Sequence, residues 1–193
     1  MINREKLYSI YSLVFSIFYS KKFKNFGSNS KIIFPLKISN KTNISIGNDV
    51  RVGFNCSLSA ENFTNEKDIL LTISDGVCLG NFNHIVCSKK ITFQKNVLTS
   101  DKVYISDNLH EYNDISLPII KQPIKQLNAV VIGEGSWIGE NVCIIGASIG
   151  KNSVIGANSV VTKNIPDYSI AIGAPAKVIK TYNFDIKKWE KIK

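Results

Sequence analysis

Aliphatic residues recur along this chain every six positions, and that spacing predicts its architecture. From Ile46 the chain runs Ile-Gly-Asn-Asp-Val-Arg, and from Val52 it runs Val-Gly-Phe-Asn-Cys-Ser to reach Leu58. The pattern resumes at Ile73-Ser-Asp-Gly-Val-Cys and Leu79-Gly-Asn-Phe-Asn-His, ending at Ile85. A weaker run passes through Phe93, Thr99 and Ile105. After a break the period returns at Ile132, Ile138 and Ile144, and it closes through Ile149, Ile155 and Val161. Position one is aliphatic, position two small or polar, and position five small or β-branched. This is neither a helical period nor a two-residue strand alternation, because glycines and asparagines punctuate every short run. It predicts an all-β solenoid of short strands joined by turns, each position-one aliphatic stacked on its counterpart in the next coil. Three hexads make a coil of about 18 residues. The step from Ile144 to Ile149 is one residue short, so the coil must tighten over 145–148.

Between Ile105 and Ile132 the period stops, and a long structureless insert in a regular solenoid is usually functional. The insert, residues 106–131, holds His110, one of only two histidines in the chain. His110 is therefore the candidate catalytic residue. His84 falls at position six of a hexad, where a structural place on a turn or the exterior is expected. Asp107, Glu111 and Asp114 are candidates to hold the second ring nitrogen of His110, and sequence does not choose among them.

The segments on either side of the repeat divide the chain into three. Residues 1–30 are expected to be an N-terminal helical segment, 31–170 the solenoid with its inserted loop, and 171–193 a C-terminal tail or short helix. The apolar stretch from Leu7 to Tyr19 is broken by Ser9, Ser12 and Ser16. It is shorter than the roughly 20 residues that cross a bilayer. Lys21, Lys22 and Lys24 follow it where a signal peptide would place small residues, so no signal peptide is expected. Two readings stand: a helix packed on the body of the protein, or one lying at a membrane surface with lysines toward the headgroups.

Charge and cysteines narrow the function classes. The net charge is +9, but it lies at the ends: +4 in residues 1–30, +4 in 171–193, and only +1 between them. That distribution argues against a nucleic-acid-binding core. Cys56, Cys78, Cys87 and Cys143 form no C-x-x-C pair and fit a reducing compartment, so a cytoplasmic location is expected, with the inner membrane face as an option.

The six-residue repeat resembles the hexapeptide-repeat acyltransferases, whose solenoid is a left-handed parallel β-helix. The left hand comes from the resemblance, since the right-handed crossover rule predicts the opposite. The galactoside, maltose, xenobiotic and polysaccharide O-acetyltransferases of that family carry their catalytic histidine on a loop leaving the helix. Tyr104-Ile-Ser-Asp-Asn-Leu-His110-Glu-Tyr, with Pro118-Ile and Gln122-Pro123, is similar to that loop. The tail from Gly156-Ala-Asn-Ser-Val-Val-Thr-Lys163-Asn-Ile-Pro166 to Gly173-Ala-Pro-Ala-Lys177-Val-Ile-Lys180 is similar as well. The likeness spans roughly residues 40–181.

It implies an acetyl-CoA-dependent O-acetyltransferase acting on a sugar hydroxyl of a surface polysaccharide or its precursor. His110 is then the general base of a direct transfer, the assembly a homotrimer with sites between subunits, and no metal or nucleic acid takes part. For acetyl-CoA the resemblance implies Ala157 in the pantetheine groove, Thr162 and Lys163 beside the coenzyme, and Lys177 and Lys180 near its phosphates. Trp137 flanks the cleft or packs between subunits. Glu140 stands where the galactoside enzymes have a small polar coenzyme contact. For the carbohydrate acceptor it implies Asn81, with Lys89 among Ser88-Lys89-Lys90 where an acidic residue is typical. Rival readings are an amino-sugar N-acyltransferase and a non-catalytic scaffold. A zinc enzyme resembling the γ-class carbonic anhydrases needs three histidines, and the chain has two.

Overall fold

The computed structural model describes Ile10, Tyr11, Val14, Phe15 and residues 18–192. The chain winds around three parallel sheets, visiting them in a fixed order. Face one stacks Asn25–Phe26, Ile44–Ile46, Leu70–Ile73, Lys90–Phe93 and Val130–Ile132, and bridges at Ile149 and Ile165 extend it. Face two stacks Lys31–Ile32, Arg51–Val52, Cys78–Leu79, Leu98–Thr99, Trp137–Ile138, Val154–Ile155 and Ser169–Gly173. Face three stacks Lys37–Ser39, Ser57–Ala60, His84–Cys87, Tyr104–Ser106, Cys143–Ile145 and Val160–Val161.

The register explains the period of six. Ile46, Ile73, Phe93 and Ile132 align on face one, Val52, Leu79, Thr99, Ile138 and Ile155 on face two, and Leu58, Ile85, Ile105, Ile144 and Val161 on face three. These columns point inward and are buried, forming one continuous core. Each large aliphatic in such a place contributes roughly 1.5–3 kcal/mol by burial. Thr99 is the polar member, and its hydroxyl oxygen accepts from Asn83 Nδ2 at 2.8 Å and Gly80 N at 3.1 Å.

The turns account for the other hexad positions. Asp49, Asn96, Asn141, Asn152 and Asn158 take left-handed backbone at the corners, which Asn and Asp tolerate better than most residues. Gly80 is there for space: a Cβ on it would lie 2.4 Å from the carbonyl oxygen of Ser100 in the next coil. Position-five serines close a seam between coils. Ser136 Oγ donates to Gly150 O and accepts from Ser153 N, while Ser153 Oγ donates to Pro166 O and accepts from Ser169 N. Coil length is not uniform. Corner bonds link residues 27 apart across the coil that contains residues 61–69, 20 apart in the next, and 17 or 16 apart in the last ones. Four-residue strands such as His84–Cys87 and Lys90–Phe93 lengthen the early turns of the solenoid.

Three expectations need adjusting. The insert is not structureless: Asn108–His110 and Ile124–Gln126 form an antiparallel arm with a 3-10 turn, Ile119–Lys121, near its tip. A second excursion, residues 61–69, leaves face three after Ala60 and rejoins face one at Leu70. The C-terminal segment is extended rather than helical. Ala176–Asn183 runs antiparallel to Ser169–Gly173, and Lys188–Lys191 pairs with it in turn. Its β-branched Val178, Ile179 and Thr181 suit a strand, and the edge of Ser169–Gly173 supplies their backbone partners. The strand Ser169–Gly173 also crosses the expected boundary at 170. Of the helical segment expected over 1–30, residues 1–9, 12, 13, 16 and 17 lie outside the described residues, and its end is not helical, since Asn25–Phe26 is a strand of face one. Of it, Ile10, Tyr11, Val14, Phe15, Phe18 and Tyr19 have helical backbone, and Ser20–Lys22 is a 3-10 turn.

Candidate active site

The arm that carries His110 leaves the solenoid at the edge where face three turns into face one. Its base is fixed by Asp107, which is fully buried. Asp107 Oδ1 accepts from Ser88 N at 2.7 Å, Ser88 Oγ at 2.9 Å and Asn108 Nδ2 at 3.1 Å. Its Oδ2 accepts from Lys89 N and Lys90 N, both at 2.8 Å. The backbone carbonyl of Asp107 takes the returning strand, accepting from Leu127 N at 2.8 Å and Gln126 Nε2 at 2.7 Å. Gln126 Oε1 in turn accepts from Ser88 Oγ at 3.0 Å and from Thr64 Oγ1, on the second excursion, at 2.7 Å. Both ends of the arm are thus tied to Asp107, the outgoing one through its carboxylate and the returning one through its backbone carbonyl, and Gln126 joins the 61–69 excursion to them.

Under the arm lies a cleft of about 460 Å³. Its floor is the outer surface of face three, Val86, Tyr104, Ser106 and Ile145; Asn108, Leu109, His110 and Ile124 form one wall, and Phe63 contributes from the excursion. The surroundings are mostly apolar, with the imidazole of His110 at the exposed lip. Neither ring nitrogen of His110 has a hydrogen-bond partner among the described residues. The three carboxylates expected near it are engaged elsewhere. Asp107 anchors the arm, Glu111 pairs with Lys125 at 3.5 Å, and Asp114 accepts from the hydroxyl and amide of Ser116, which hold its carboxyl below the usual range. His84 stands outside on face three, its ring edge-on to Tyr104 at 5.5 Å.

The other expected site residues fall into two groups. Lys89 lies beside the arm, its ammonium 3.3 Å from Glu66. Thr162 and Lys163 are exposed on the same edge, because the pairing of Ile144 with Val161 brings Thr162 next in line with Ile145 of the cleft floor. The remainder lie beyond the opposite edge of face three or on face two. Asn81 occupies the corner between faces two and three, accepting from Phe54 N at 2.9 Å and donating to Asp101 Oδ2 at 3.1 Å. Ala157 lines a shallow cleft of about 340 Å³ on that corner with Lys102, Glu140, Asn141 and Asn158. Glu140 is held by Lys102 at 3.3 Å. Trp137 is exposed on face two, its indole N–H donating to Ser100 Oγ at 3.1 Å. Lys180 aligns with Ile170 and Lys177 with Ile172 on the strand that extends this face. Within one chain, His110 and the Ala157–Trp137–lysine group do not meet.

The residues that sequence reasoning passed over are Phe63, Thr64 and Gln126. The lapse of the hexad between Leu58 and Ile73 signals the excursion carrying the first two. Nothing in the pattern distinguishes Gln126. Among the described residues no group of three His, Cys, Asp or Glu side chains is placed to hold a metal ion.

The family model described as the hexapeptide repeat of succinyl-transferase matches residues 129–163. WbbJ of Escherichia coli K12, provisionally named a lipopolysaccharide biosynthesis O-acetyl transferase, is 37% identical over 174 residues, covering 86% of each chain. The galactoside O-acetyltransferase of the same organism is 31% identical over 162 residues, which cover 83% of this chain and 65% of that enzyme. Among solved structures, the N-acyltransferase AntD of Bacillus cereus, in complex with dTDP and 3-hydroxybutyryl-CoA, superimposes with a TM-score of 0.70. That match covers 96% of this chain and 91% of AntD at 21% identity, and it speaks to the fold. The solenoid, the arm and these relatives define the class: the chain belongs to the hexapeptide-repeat acyltransferase family. Its nearest kinship among the three is with the two O-acetyltransferases, at 37% and 31% identity.

Proposed function

We propose that the protein transfers an acetyl group from acetyl-CoA to a sugar hydroxyl of a surface polysaccharide or its precursor, with His110 as general base. The observation that carries this reading is the imidazole of His110, without a hydrogen-bond partner among the described residues, at the lip of an apolar cleft on an arm fixed by a buried carboxylate. Neutral imidazole takes the proton of the acceptor hydroxyl as its oxygen attacks the thioester carbonyl. The tetrahedral oxyanion collapses with loss of the coenzyme A thiolate, and the proton held by the imidazolium passes to that sulfur. Backbone N–H donors stabilise the oxyanion in such a site. The relatives named as O-acetyltransferases support the reaction type.

In this reading the solenoid is left-handed as in its family, and the protein works in the cytoplasm as a homotrimer. The separation of His110 from Ala157, Trp137, Lys177 and Lys180 supports the trimer: the arm of one chain faces the second group on its neighbour. There Ala157 leaves room for the pantetheine and Lys177 and Lys180 meet its phosphates, while Thr162 and Lys163 flank the coenzyme from the edge that carries the arm. Asn81 and Lys89 contact the acceptor. The second reading, an amino-sugar N-acyltransferase, draws on the likeness of fold to AntD.

The two readings separate on acceptor chemistry. Purified protein is incubated with acetyl-CoA and matched sugars bearing only hydroxyls or one free amine, and products are read by mass. Ester formation on the hydroxyl sugars supports O-acetyl transfer. Acetylation confined to the amine overturns it in favour of the second reading, and no transfer to either favours a scaffold.

A further inference from the structure

The end of the solenoid opposite its C-terminal strands carries a surface that the acyl-transfer chemistry does not use. The helical residues there lie across the first coil. Tyr11 stacks on Phe34 with ring centroids 3.8 Å apart, and Phe15 is buried against the core, edge-on to Phe23 at 6.5 Å. With that side buried, Ile10, Val14 and Phe18, each four residues from the next, face outward with 53%, 46% and 69% of their surfaces exposed. Four-residue spacing on helical backbone makes them one stripe. Tyr19, at the end of the stripe, lies under two cations, Lys22 Nζ at 5.1 Å and Lys41 Nζ at 5.9 Å from its ring centre.

Those two lysines belong to a basin of about 670 Å³ lined by Lys21, Lys22, Phe23, Lys24, Asn40, Lys41 and Thr42. Among the described residues it is lined by four lysines and no acid. None of the four enters an ion pair among the described residues, although Lys41 Nζ also donates to Ile38 O at 3.2 Å. Lys41 comes from the corner between faces three and one and the others from the start of the first coil, so the fold brings the charges together. An exposed apolar stripe beside an uncompensated cationic basin is complementary to one kind of surface, apolar just beneath and anionic at its rim. We propose that this end of the solenoid docks on an anionic lipid bilayer, with Ile10, Val14 and Phe18 entering the acyl boundary and Lys21, Lys22, Lys24 and Lys41 meeting phosphate headgroups.

The inference stands apart from the acyl-transfer reading, since vesicle binding is measured without either substrate. The full chain is sedimented with vesicles of phosphatidylcholine alone and of equal parts phosphatidylcholine and phosphatidylglycerol. Binding to the second kind alone, weakened by added salt, is expected. Replacing Lys21, Lys22, Lys24 and Lys41 by Gln should lower the partition coefficient roughly a hundredfold or more, since each lysine near such a surface is worth roughly a fivefold factor. Ile10→Ser, Val14→Ser and Phe18→Ser together should also release the protein while leaving the charge intact. The stripe residues and Lys21, Lys22 and Lys24 are exposed, Lys41 is partly buried, and all lie away from the arm, so acetyl transfer to a soluble acceptor should persist in both variants. Equal binding to both vesicles, no binding, or an unchanged partition coefficient in the lysine variant overturns the inference. So does a change in oligomeric mass caused by the stripe variant, which would make the stripe a contact between copies of the chain.

Discussion

Asp107→Asn keeps the size of the side chain at the base of the catalytic arm and changes only what it can accept. The carboxylate meets Ser88 N, Ser88 Oγ and Asn108 Nδ2 on one oxygen and Lys89 N and Lys90 N on the other. An amide turns one of those oxygens into an NH₂ group. In its better orientation it faces the amides of Lys89 and Lys90, leaving two buried donors without an acceptor. Bonds of this charge-assisted kind contribute about 1.5–3 kcal/mol each, so the loss of two costs about 3–6 kcal/mol. At roughly 2–4 °C per kcal/mol for a chain of this size, the melting temperature should fall by about 10 °C. The arm should loosen at its outgoing base as well, where the carboxylate holds residues 88–90, while the backbone carbonyl of residue 107 still holds the returning strand. A displacement of the base by about 1 Å costs on the order of a hundredfold in rate. We therefore expect kcat to fall about a hundredfold while KM for acetyl-CoA stays within about twofold. Amide exchange across 108–126 should rise in the same variant. Ile32→Ala, in the first coil and far from the arm, is the control: it should cost about 2–5 kcal/mol by leaving a cavity and leave kcat unchanged. Wild-type kcat in Asp107→Asn, with the arm amides exchanging faster, would refute the argument that this carboxylate positions His110.

Other expectations follow from the core, the corners and the tail. Burial, assisted by the carboxylate of Asp107, pushes the Cys87 thiol up to about 12, and burial pushes Cys56 up to about 11. A thiol reagent at neutral pH should therefore label Cys78 and Cys143, both partly exposed, in the folded protein, and reach the other two only on unfolding. Gly80→Ala should destabilise the protein by about 2 kcal/mol or more in chemical denaturation, because its Cβ meets the Ser100 carbonyl and the coils cannot part locally. Replacing Lys177 and Lys180 together by Gln should raise KM for acetyl-CoA, more so at low ionic strength, where screening is weak. An unchanged KM would return those lysines to a solvated strand.

Much of the fold was legible because its core is one-dimensional. Ile46, Ile73, Phe93 and Ile132 stack on one another, so a period in the chain becomes a column in space. The lapse of the same period exposed the arm and its histidine. What escaped depends on contacts across coils that no period encodes. Asp107 was a candidate partner for His110, yet it serves the amides of residues 88–90, one coil earlier. Gln126 links that carboxylate's residue to Thr64 at the far end of the other excursion. The C-terminal strands were hidden for a related reason. Lys177 and Lys180 sit in a β-sheet because Ser169–Gly173 offers them an edge, which the tail's own composition does not announce.

The central claim rests on His110, and one comparison tests it most directly. Wild type and His110→Ala are given acetyl-CoA and a glycan bearing only hydroxyls, ester formation is followed by mass, and coenzyme affinity is measured in parallel. The account predicts that His110→Ala loses at least about a hundredfold in transfer, the scale of a general base, while binding acetyl-CoA as wild type does. Transfer at the wild-type rate by His110→Ala would contradict it.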